Sequence, residues 1–307
     1  MTTLSPLLPA PIIAVDWGST HLRAKLLLPD GTVAANAASS EGIRHLGGRD
    51  CDGILATLCG AWKEAHPDAK VVMSGMIGSR EGWCEAPYVF SPCGLADLAA
   101  GTIRVPSETF GEVTIIPGVR RDDPETKTTD VMRGEETQAA GMFALLPGSG
   151  ATLCLPGTHS KWVRCQDEKI ESFRTWLTGE AYDRLTRDSL ISGDGSPADP
   201  GSPAFSLGLE QAKGPGGLLH QLFLGRTGML TGRFGPGEVR SFVSGLLIGH
   251  EIREASLFSA DLPVWLIGDT PAAEATAAGL QYLGIAHDRF TGDAHLEGIM
   301  AITRLLD

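Results

Sequence analysis

The sequence lacks the short motifs that identify many nucleotide-binding proteins and hydrolases. No Gx4GK[ST] loop is present, and no GxGxxG follows the first predicted strand, so a P-loop enzyme is excluded and the dinucleotide fingerprint is missing. The HExxH and GxSxG motifs are also absent, which excludes a serine hydrolase with the usual nucleophile turn. Any chemistry must therefore come from other arrangements of residues.

Positive charge is scarce: 25 Lys and Arg stand against 37 Asp and Glu, giving a net charge of -12. This balance argues against a general phosphate-backbone binder, so we expect no nucleic-acid partner. The six cysteines show no CxxC spacing, which indicates neither a zinc site nor a disulfide framework and favours reduced thiols in a cytoplasm.

Signals for membranes and secretion are lacking as well. The first eleven residues contain prolines and no basic cluster, which is atypical of a secretory signal and predicts a short loose arm. The longest run without Asp, Glu, Lys or Arg, from Thr137 to Ser160, contains two prolines and four glycines. It predicts a helix, a turn and a buried strand, so we expect a cytoplasmic protein with no membrane partner.

The chain opens with a pattern of strands. Apolar runs at Ile12–Asp16, Leu22–Leu28 and Thr32–Ala38, separated by Gly-containing turns, predict a three-stranded antiparallel meander. An amphipathic helix is predicted at Asp52–Ala65, and buried strands at Lys70–Ser74 and Glu112–Pro117.

The second half repeats this opening. Strands are predicted at Ala151–Pro156, Lys161–Cys165 and Lys169–Leu177, and Gly18 matches Gly157 at an offset close to half the chain. Such a duplication predicts two similar domains, which we place at residues 1–130 and 131–307. The remaining predicted elements are helices at Gly179–Ile191, Pro203–Lys213, Gly217–Leu224, Glu238–Phe258, Ala272–Leu283 and Ala294–Leu306, and a strand at Pro263–Ile267.

Two turns in register carry the main chemical signal. In the first, Asp16-Trp17-Gly18-Ser19-Thr20, we expect Gly18 to take a positive φ, Ser19 and Thr20 to offer donors, and Asp16 to hold Mg²⁺ beside a polyphosphate. The second turn offers Gly157, Thr158, His159 and Lys161 as phosphate-binding residues, with Leu155 in the place of Asp16. The alternative is that each is merely a hairpin turn and Lys161 a solvated strand residue.

Three carboxylates lie between the halves, at Asp130, Glu135 and Glu136. They stand at a predicted helix start, where acidic groups complement the helix dipole, and this is the structural alternative. Because two adjacent glutamates cannot both cap usefully, one is a candidate general base for a hydroxyl that attacks a γ-phosphate.

A Gly-rich segment after the fourth predicted strand contains Gly75, Met76, Ser79, Arg80 and Trp83. It suits a small ligand with a carboxylate, or is an ordinary loop with a packed tryptophan.

Gly245 and Gly249 lie one helical turn apart and allow close approach of another helix or of an adenine.

Together these residues resemble a known family. The segments Asp16–Thr20, Ser74–Trp83, Gly134–Gln138 and Pro156–Trp162 look like the 2-dehydro-3-deoxygalactonokinase family, within the actin, Hsp70 and sugar-kinase superfamily. The similarity runs over essentially the whole chain. The resemblance implies an α/β protein with two ribonuclease-H-like domains, mixed sheets flanked by helices, and ATP with Mg²⁺ bound in an interdomain cleft.

The resemblance also implies an activity: ATP-dependent phosphorylation of the terminal hydroxyl of 2-dehydro-3-deoxy-D-galactonate. A carboxylate base precedes the second phosphate turn in the superfamily, and Glu136 stands at the matching distance. Because the usual residue is Asp, Glu135 and Asp130 remain alternatives. Gly268, followed by Asp269, resembles the adenosine-motif glycine, and Arg80, with Arg23 and Arg133 behind it, is the candidate for the substrate carboxylate.

Two alternatives remain for this function. One is a kinase of another sugar or sugar acid, and the other a non-catalytic nucleotide-gated sensor on the same fold. The expected partner is a small-molecule sugar acid, and a homodimer is left open.

Overall fold

The structure is a computed structural model that describes residues 8–48, 50–146, 148, 150–259 and 262–306. Residues 1–7 of the expected loose arm lie outside the described residues. Strands and helices alternate along the chain and build three sheets with helices on their faces. The predicted α/β class with mixed sheets flanked by helices is confirmed.

The strands have the following bounds: β1 (Ile12–Trp17), β2 (Leu22–Leu27), β3 (Val33–Ser39), β4 (Lys70–Ser74), β5 (Tyr88–Phe90), β6 (Cys93–Gly94), β7 (Ile103–Ser107), β8 (Gly111–Ile115), β9 (Gly118–Asp123), β10 (Thr128–Met132), β11 (Ala151–Leu155), β12 (Ser160–Gln166), β13 (Lys169–Trp176), β14 (Val264–Ile267) and β15 (His287–Phe290). The helices are α1 (Cys51–Ala65), α2 (Leu95–Ala100), α3 (Glu135–Met142), α4 (Thr178–Arg187), α5 (Pro203–Gln211), α6 (Gly217–Leu230), α7 (Val239–Ser259), α8 (Pro271–Tyr282) and α9 (Ala294–Thr303).

The chain forms two compact units. The first takes the residues up to Leu146, together with Cys165–Ser172 and the residues from Asp293 onward, and the second takes the rest. The first unit thus continues past residue 130 through α3 and includes α9. The assignment of each half as a ribonuclease-H-like domain stays a prediction.

A six-stranded sheet organises the first unit, in the order β3-β2-β1-β4-β8-β7. The predicted meander is confirmed, because β1 pairs antiparallel with β2 and β2 antiparallel with β3. Strands β4 and β8 then continue parallel to β1, and β1 is buried at five of its six residues. The carboxyl ends of β1 and β4 therefore meet at one edge, where Asp16 stands opposite Ser74.

A smaller sheet in the same unit, ordered β10-β9-β5, corrects one prediction. Asp130 was expected at a helix start, but β10 pairs antiparallel with β9 there. The β-branched residues Thr128, Thr129 and Val131 favour a strand, and Gly134, at φ 108°, separates it from α3. Asp130 therefore lies on a strand, whereas Glu135 and Glu136 open the helix.

A six-stranded sheet with the order β15-β14-β11-β12-β13-β6 has its first three strands in the second unit. Strands β11, β14 and β15 are parallel, as β1, β4 and β8 are in the first unit. In the first sheet β1 lies between β2 and the parallel strand β4. In the other sheet β11 lies between β12 and the parallel strand β14. This shared order agrees with the duplication inferred from the sequence.

Glycines allow two helix pairs to approach closely. A Cβ added to Gly245 would lie 2.1 Å from the Phe205 carbonyl oxygen, so the glycine spacing on α7 serves packing against α5. In the first unit, a Cβ on Gly298 would lie 1.8 Å from the Thr137 carbonyl oxygen. Helix α9 therefore packs directly against α3, the helix that begins with the two glutamates.

The lengths and hydropathies of the helices bear on membrane insertion. Across the described ranges, every helix is too short or too polar to span a bilayer.

Candidate active site

The first predicted phosphate turn connects β1 and β2. Asp16 is half-buried at the end of β1, and its Oδ2 accepts a hydrogen bond from Arg23 Nη1 at 3.2 Å. The expected positive φ at Gly18 is wrong, because Gly18 has an ordinary negative φ. The turn is instead held against Gly42, where an added Cβ would lie 2.3 Å from the Thr20 carbonyl carbon. The glycine that the turn requires is thus outside the motif.

Two glycines with positive φ bring the predicted catalytic residues together. A Cβ added to Gly75, at φ 95°, would lie 3.6 Å from Asp16 Oδ1. A Cβ added to Gly134, at φ 108°, would lie 3.3 Å from Gly75 Cα. The Gly134 N–H in turn donates to Glu136 Oε2 at 2.6 Å. The ends of β1 and β4 and the start of α3 therefore meet in the first unit.

The carboxyl of Glu136 is fully enclosed. Burial and the neighbouring Glu135 raise its pKa to about 7 from an ordinary 4.5, although hydrogen bonds from Gly134 and Thr137 act in the opposite direction. A carboxyl with this pKa is populated in both protonation states near neutral pH, which suits a general base. Glu136 thus combines a raised pKa with an enclosed side chain.

The two alternative bases have different surroundings. Glu135 is half-buried, and its Oε2 accepts a hydrogen bond from the Arg133 backbone N–H at 3.3 Å. Asp130 lies on β10, and its Oδ1 accepts from the Val131 backbone N–H at 2.8 Å. Their roles as bases, like that of Glu136, stay predictions.

The Gly-rich segment after β4 forms a tight turn. The 3-10 turn Met76–Gly78 is followed by Gly82, whose added Cβ would lie 2.1 Å from the Ile77 carbonyl oxygen. Met76 and Trp83 pack against the core of the first unit, as expected of an ordinary packed tryptophan. Binding of substrate by this turn stays a prediction.

The three candidate arginines for the substrate carboxylate differ in burial. The Arg80 side chain is 84% exposed and pairs with Glu85 at 2.9 Å, and that of Arg23 is 59% exposed beside Asp16. Arg133 is only 9% exposed, and its Nη2 donates to the Ala86 carbonyl oxygen at 2.8 Å. The buried arginine is therefore the one that sequence reasoning ranked behind Arg80.

A partly buried hydrogen bond joins the same edge of the sheet to α9. Ser74 Oγ and His295 Nε2 are 2.7 Å apart, and Ser74 stands opposite Asp16 in the parallel register. Asp293 caps α9 and also pairs with Lys25 of β2 at 2.5 Å. These contacts fix the start of α9 beside the first turn. Sequence reasoning missed them because the partners are far apart in the chain.

The second predicted phosphate turn lies in the second unit and packs on the start of α4. A Cβ added to Gly179 would lie 2.3 Å from the Gly157 carbonyl oxygen, and the Glu180 N–H donates to Thr158 O at 2.8 Å. His159 Nε2 lies 2.7 Å from Glu180 Oε2. Lys161 is buried, and its Nζ donates to the His159 carbonyl oxygen at 3.0 Å. Lys161 thus supports the turn from within the fold.

A cavity of about 640 Å³ opens beside this turn, wholly within the second unit. Gly157 and Ser160 line one part, and Asp269 and Pro271, at the start of α8, line another. Gly268, at φ 99°, follows β14 and precedes Asp269, and its carbonyl oxygen accepts a hydrogen bond from Arg289 Nη2 at 3.1 Å. Further lining residues that the sequence did not indicate are Tyr182, Pro197, Ala198, Arg240, Ser244, Leu247 and Ile248.

Arg240 holds one wall of the cavity. Its guanidinium donates to the carbonyl oxygens of Thr186, Ser192 and Gly195 at 2.6 to 2.8 Å. Because these donors are used on backbone groups, Arg240 fixes the segment after α4 against α7.

Glu251 of α7 lies beneath the same turn. Its Oε1 accepts from Trp162 Nε1 at 2.8 Å, and its carboxyl is also hydrogen-bonded to Thr178 and Ser160. Burial raises the pKa of Glu251 above its ordinary value, against the effect of these hydrogen bonds. Ser160 and Thr178 both line the cavity, so one carboxyl connects the cavity wall to the core.

The chain is similar to known proteins over nearly its whole length. A sequence model described as 2-keto-3-deoxy-galactonokinase matches residues 16–302. The chain belongs to the 2-keto-3-deoxy-galactonokinase family. The match begins at Asp16, in the first turn, and ends in α9, so it includes both turns and the helix that packs on α3. The family resemblance inferred from the sequence is confirmed.

Individual relatives agree with this family. The 2-dehydro-3-deoxygalactonokinase of Escherichia coli (strain K12) is 35% identical over 294 residues, covering 94% of this chain and 96% of the relative. A Rhizobium meliloti (strain 1021) protein named "Probable 2-dehydro-3-deoxygalactonokinase" is 36% identical over 261 residues, covering 83% and 84%. A solved Sinorhizobium meliloti structure, named "putative 2-dehydro-3-deoxygalactonokinase", superposes with a TM-score of 0.88 at 32% identity, covering 95% and 98%.

In this member of the 2-keto-3-deoxy-galactonokinase family, the predicted residues fall into two sets. The catalytic and substrate candidates Asp16, Arg23, Arg80, Arg133 and Glu136 lie in the first unit. The candidates of the second turn and Gly268 with Asp269 lie in the second unit, with the cavity. The pocket-lining residues of α4 and α7 were missed because nothing in their spacing distinguishes a cavity wall from a packing face.

Proposed function

We propose that the protein is a kinase that transfers the γ-phosphoryl group of ATP to the terminal hydroxyl of 2-dehydro-3-deoxy-D-galactonate. The observation that carries this proposal is the family match over residues 16–302, supported by relatives of the same name at 35% and 36% identity. The products are ADP and the 6-phosphate of the sugar acid. The reaction is a phosphotransfer to an alcohol acceptor.

The cavity of the second unit supports ATP as the phosphoryl donor. Binding sites for small molecules are mostly apolar with a few polar groups, and here Leu247, Ile248 and Ala275 stand beside Ser160 and Asp269. A base and ribose of a nucleotide fit a volume of about 640 Å³. The second turn, at the rim of this cavity, would offer Gly157 and Thr158 to the phosphates.

Mg²⁺ is the metal that we propose to accompany ATP, with Asp16 as its protein ligand. Within the described ranges no cluster of three or more His, Cys, Asp or Glu side chains could hold a metal ion. One carboxylate nevertheless fits, because Mg²⁺ in kinases keeps several waters and binds one or two carboxylates together with substrate phosphates. When bound, the ion supplies positive charge that offsets charge on the transferring phosphoryl group.

We assign the general-base role to Glu136. Its pKa of about 7 leaves the carboxylate form available at neutral pH, and its contact with Gly134 connects it to Gly75 and Asp16. Because the carboxyl is enclosed, a substrate hydroxyl reaches it only after a local rearrangement. In phosphoryl transfer positioning and charge matter more than base strength, so Glu136 contributes less than Asp16.

The deciding experiment measures ADP release with Mg²⁺ and ATP in the presence of 2-dehydro-3-deoxy-D-galactonate, its gluconate epimer and plain hexoses. Turnover confined to sugar acids supports the proposal, and phosphorus NMR of the product should locate the phosphate on the terminal carbon. Turnover of hexoses alone would identify a kinase for another sugar. ATP binding without sugar-dependent ADP release would instead favour a nucleotide-gated sensor.

Occupancy of the cavity by ATP has its own test. Ser244 is buried on α7 and lines the cavity, so Ser244→Phe should fill part of it and weaken ATP binding by at least about tenfold. Titration calorimetry with a non-hydrolysable ATP analogue measures this, and the affinity for the sugar acid should stay unchanged. Unchanged ATP affinity in a folded variant would place the nucleotide elsewhere.

A further inference from the structure

Arg133 is a buried cation with unused hydrogen-bond donors. The residue is 9% exposed, and its Nε and Nη1 have no hydrogen-bond acceptor among the described residues. Its one hydrogen bond, from Nη2 to the Ala86 carbonyl oxygen, fixes the guanidinium without neutralising it. Buried charged groups are normally paired and hydrogen-bonded, and leaving their donors without acceptors costs free energy. The position therefore suits an external anion.

The surrounding residues hold the guanidinium in place. The guanidinium carbon Cζ of Arg133 lies 4.4 Å from the centre of the Tyr88 ring, a distance at which a cation is attracted to the ring face. A Cβ added to Gly78 would lie 2.9 Å from Arg133 Nη1, so only glycine fits beside it without displacement. The arginine is thus clamped between the aromatic ring of β5 and the turn after β4.

A second unused polar group lies on the same turn. Ser79 follows Gly78 directly, and its buried Oγ has no hydrogen-bond partner among the described residues. A serine hydroxyl can donate to an acceptor, and the two guanidinium nitrogens can only donate. The turn and Arg133 therefore present a group of donors that calls for a ligand consisting of acceptors.

The proposed substrate has such an end. The carboxylate and the adjacent 2-oxo group of a 2-oxo acid are acceptors only, and arginine matches the planar carboxylate geometry. The opposite end of the substrate carries the hydroxyl that is phosphorylated. Gly134, next to Arg133, leads to Glu136, so the residues for the two ends lie close together along the chain.

We infer that Arg133 and Ser79 form the subsite that binds the carboxylate and 2-oxo end of the sugar acid. This inference rests on the proposed function and deepens it, because it names the residues that distinguish a sugar acid from a plain sugar. It replaces Arg80 in that role, since Arg80 is 84% exposed and paired with Glu85.

The test compares the sugar acid with its C1 amide, which lacks the negative charge, in wild type and in Arg133→Met. The wild type should favour the acid, and the variant should lose about 10²-fold in kcat/KM for the acid, in line with a charged hydrogen bond, while its kcat/KM for the amide changes little. Ser79→Ala should show a smaller loss of the same kind. Arg80→Met is the matched control and should keep the preference of the wild type.

Several readouts separate recognition from a structural role. The galactonate and gluconate epimers share the carboxylate and 2-oxo end, so Arg133→Met should reduce kcat/KM for both by the same factor and leave their ratio unchanged. ATP affinity should also stay unchanged. An equal loss with acid and amide would overturn the inference and make Arg133 a structural residue. If Arg133→Met does not fold, Arg133→Lys and Ser79→Ala carry the same comparison.

Failure of the inference can be told from failure of the proposed function. If the wild type phosphorylates the sugar acid but Arg133→Met keeps the acid preference, the inference is wrong and the function stands. If the wild type phosphorylates none of the compounds, the function is wrong. The inference is then decided by calorimetric titration of the sugar acid itself, where binding to wild type and not to Arg133→Met supports it and equal or absent binding overturns it.

Discussion

Asp16 of β1 and Arg23 of β2 stand directly opposite each other across the first hairpin, with Asp16 Oδ2 3.2 Å from Arg23 Nη1. Both side chains are partly exposed, so water screens their attraction and the pair contributes at most about 1 kcal/mol to folding. Arg23 therefore positions the Asp16 carboxylate through an interaction that is weak. An ion pair of this strength can be replaced by the Mg²⁺ that we propose to bind at Asp16.

Replacing Asp16 should separate activity from stability. We expect Asp16→Asn to lower kcat by about 10² to 10³-fold, the range for removing one charge-stabilising group from a reaction site. Thermal unfolding should change little because the ion pair is weak. Asp122→Asn, which breaks the exposed Arg120–Asp122 pair on the small sheet, is the matched control and should leave kcat unchanged. A fully active Asp16→Asn would contradict the role proposed for Asp16.

The stability of Glu136→Gln should depend less on pH than that of the wild type. The pKa of Glu136 is raised from 4.5 to about 7 in the folded protein, so the folded state binds the proton more tightly than the unfolded state. This contribution is present below pH 4.5 and is lost as the pH rises through 7, at about 3 kcal/mol in total.

Urea denaturation between pH 4.5 and 8 measures this difference. The gap in unfolding free energy between wild type and Glu136→Gln should shift in favour of the variant as the pH rises, and stay constant above about pH 8. Glu64→Gln, at an exposed carboxyl of α1, is the control. A gap that does not change with pH would mean that Glu136 is ionised throughout the range.

The contact between α3 and α9 should leave no space for an additional methyl group at Gly298. Because a Cβ on Gly298 would lie 1.8 Å from the Thr137 carbonyl oxygen, we expect Gly298→Ala to destabilise the protein by about 3 kcal/mol or more. Gly60→Ala, in α1, is the matched control, since its nearest neighbours would lie 3.7 Å away. It should raise stability by about 0.5 to 1 kcal/mol. Chemical denaturation compares both, and equal effects would refute the close packing.

Glu251 should affect nucleotide binding from beneath the turn. Glu251→Leu removes the acceptor for Trp162 Nε1 and should cost about 1 to 3 kcal/mol, with a raised KM for ATP and little change in the KM for the sugar acid. Glu251→Gln keeps an acceptor and should be milder in both respects. A normal KM for ATP in a folded Glu251→Leu would show that the contacts to Ser160 and Thr178 do not position the turn.

The strands and helices with strong patterns could be predicted from the sequence. The meander of β1 to β3, the buried strand β4 and helices α1, α5, α7 and α8 lie within a few residues of their expected bounds. Strands β5, β6, β7, β9, β10 and β15 and helix α2 were missed. Most of these strands are partly exposed, so the alternation of apolar and polar residues that marks a half-buried strand is weak there.

The sequence was sufficient to predict which segments form the candidate site. It was not sufficient to predict the contacts between them. The two turns, the Gly-rich segment and the glutamates were all recognised, but their contacts depend on residues far away in the chain. Gly42 supports Thr20, and His295 bonds to Ser74. The burial of Arg133 by Tyr88 and Gly78 could not be predicted for the same reason, because it arises only on folding.

The position of α9 in the sequence determines when its packing against α3 can form during synthesis. Helix α3 ends at Met142, yet α9, the helix that covers it, begins about 150 residues later, at Ala294. Because synthesis proceeds at about 5 to 20 residues per second, about 8 to 30 seconds pass between the synthesis of the two helices. A nascent chain that ends before Ala294 therefore leaves the α3 surface around Thr137 uncovered, and this packing forms only after α9 has been made.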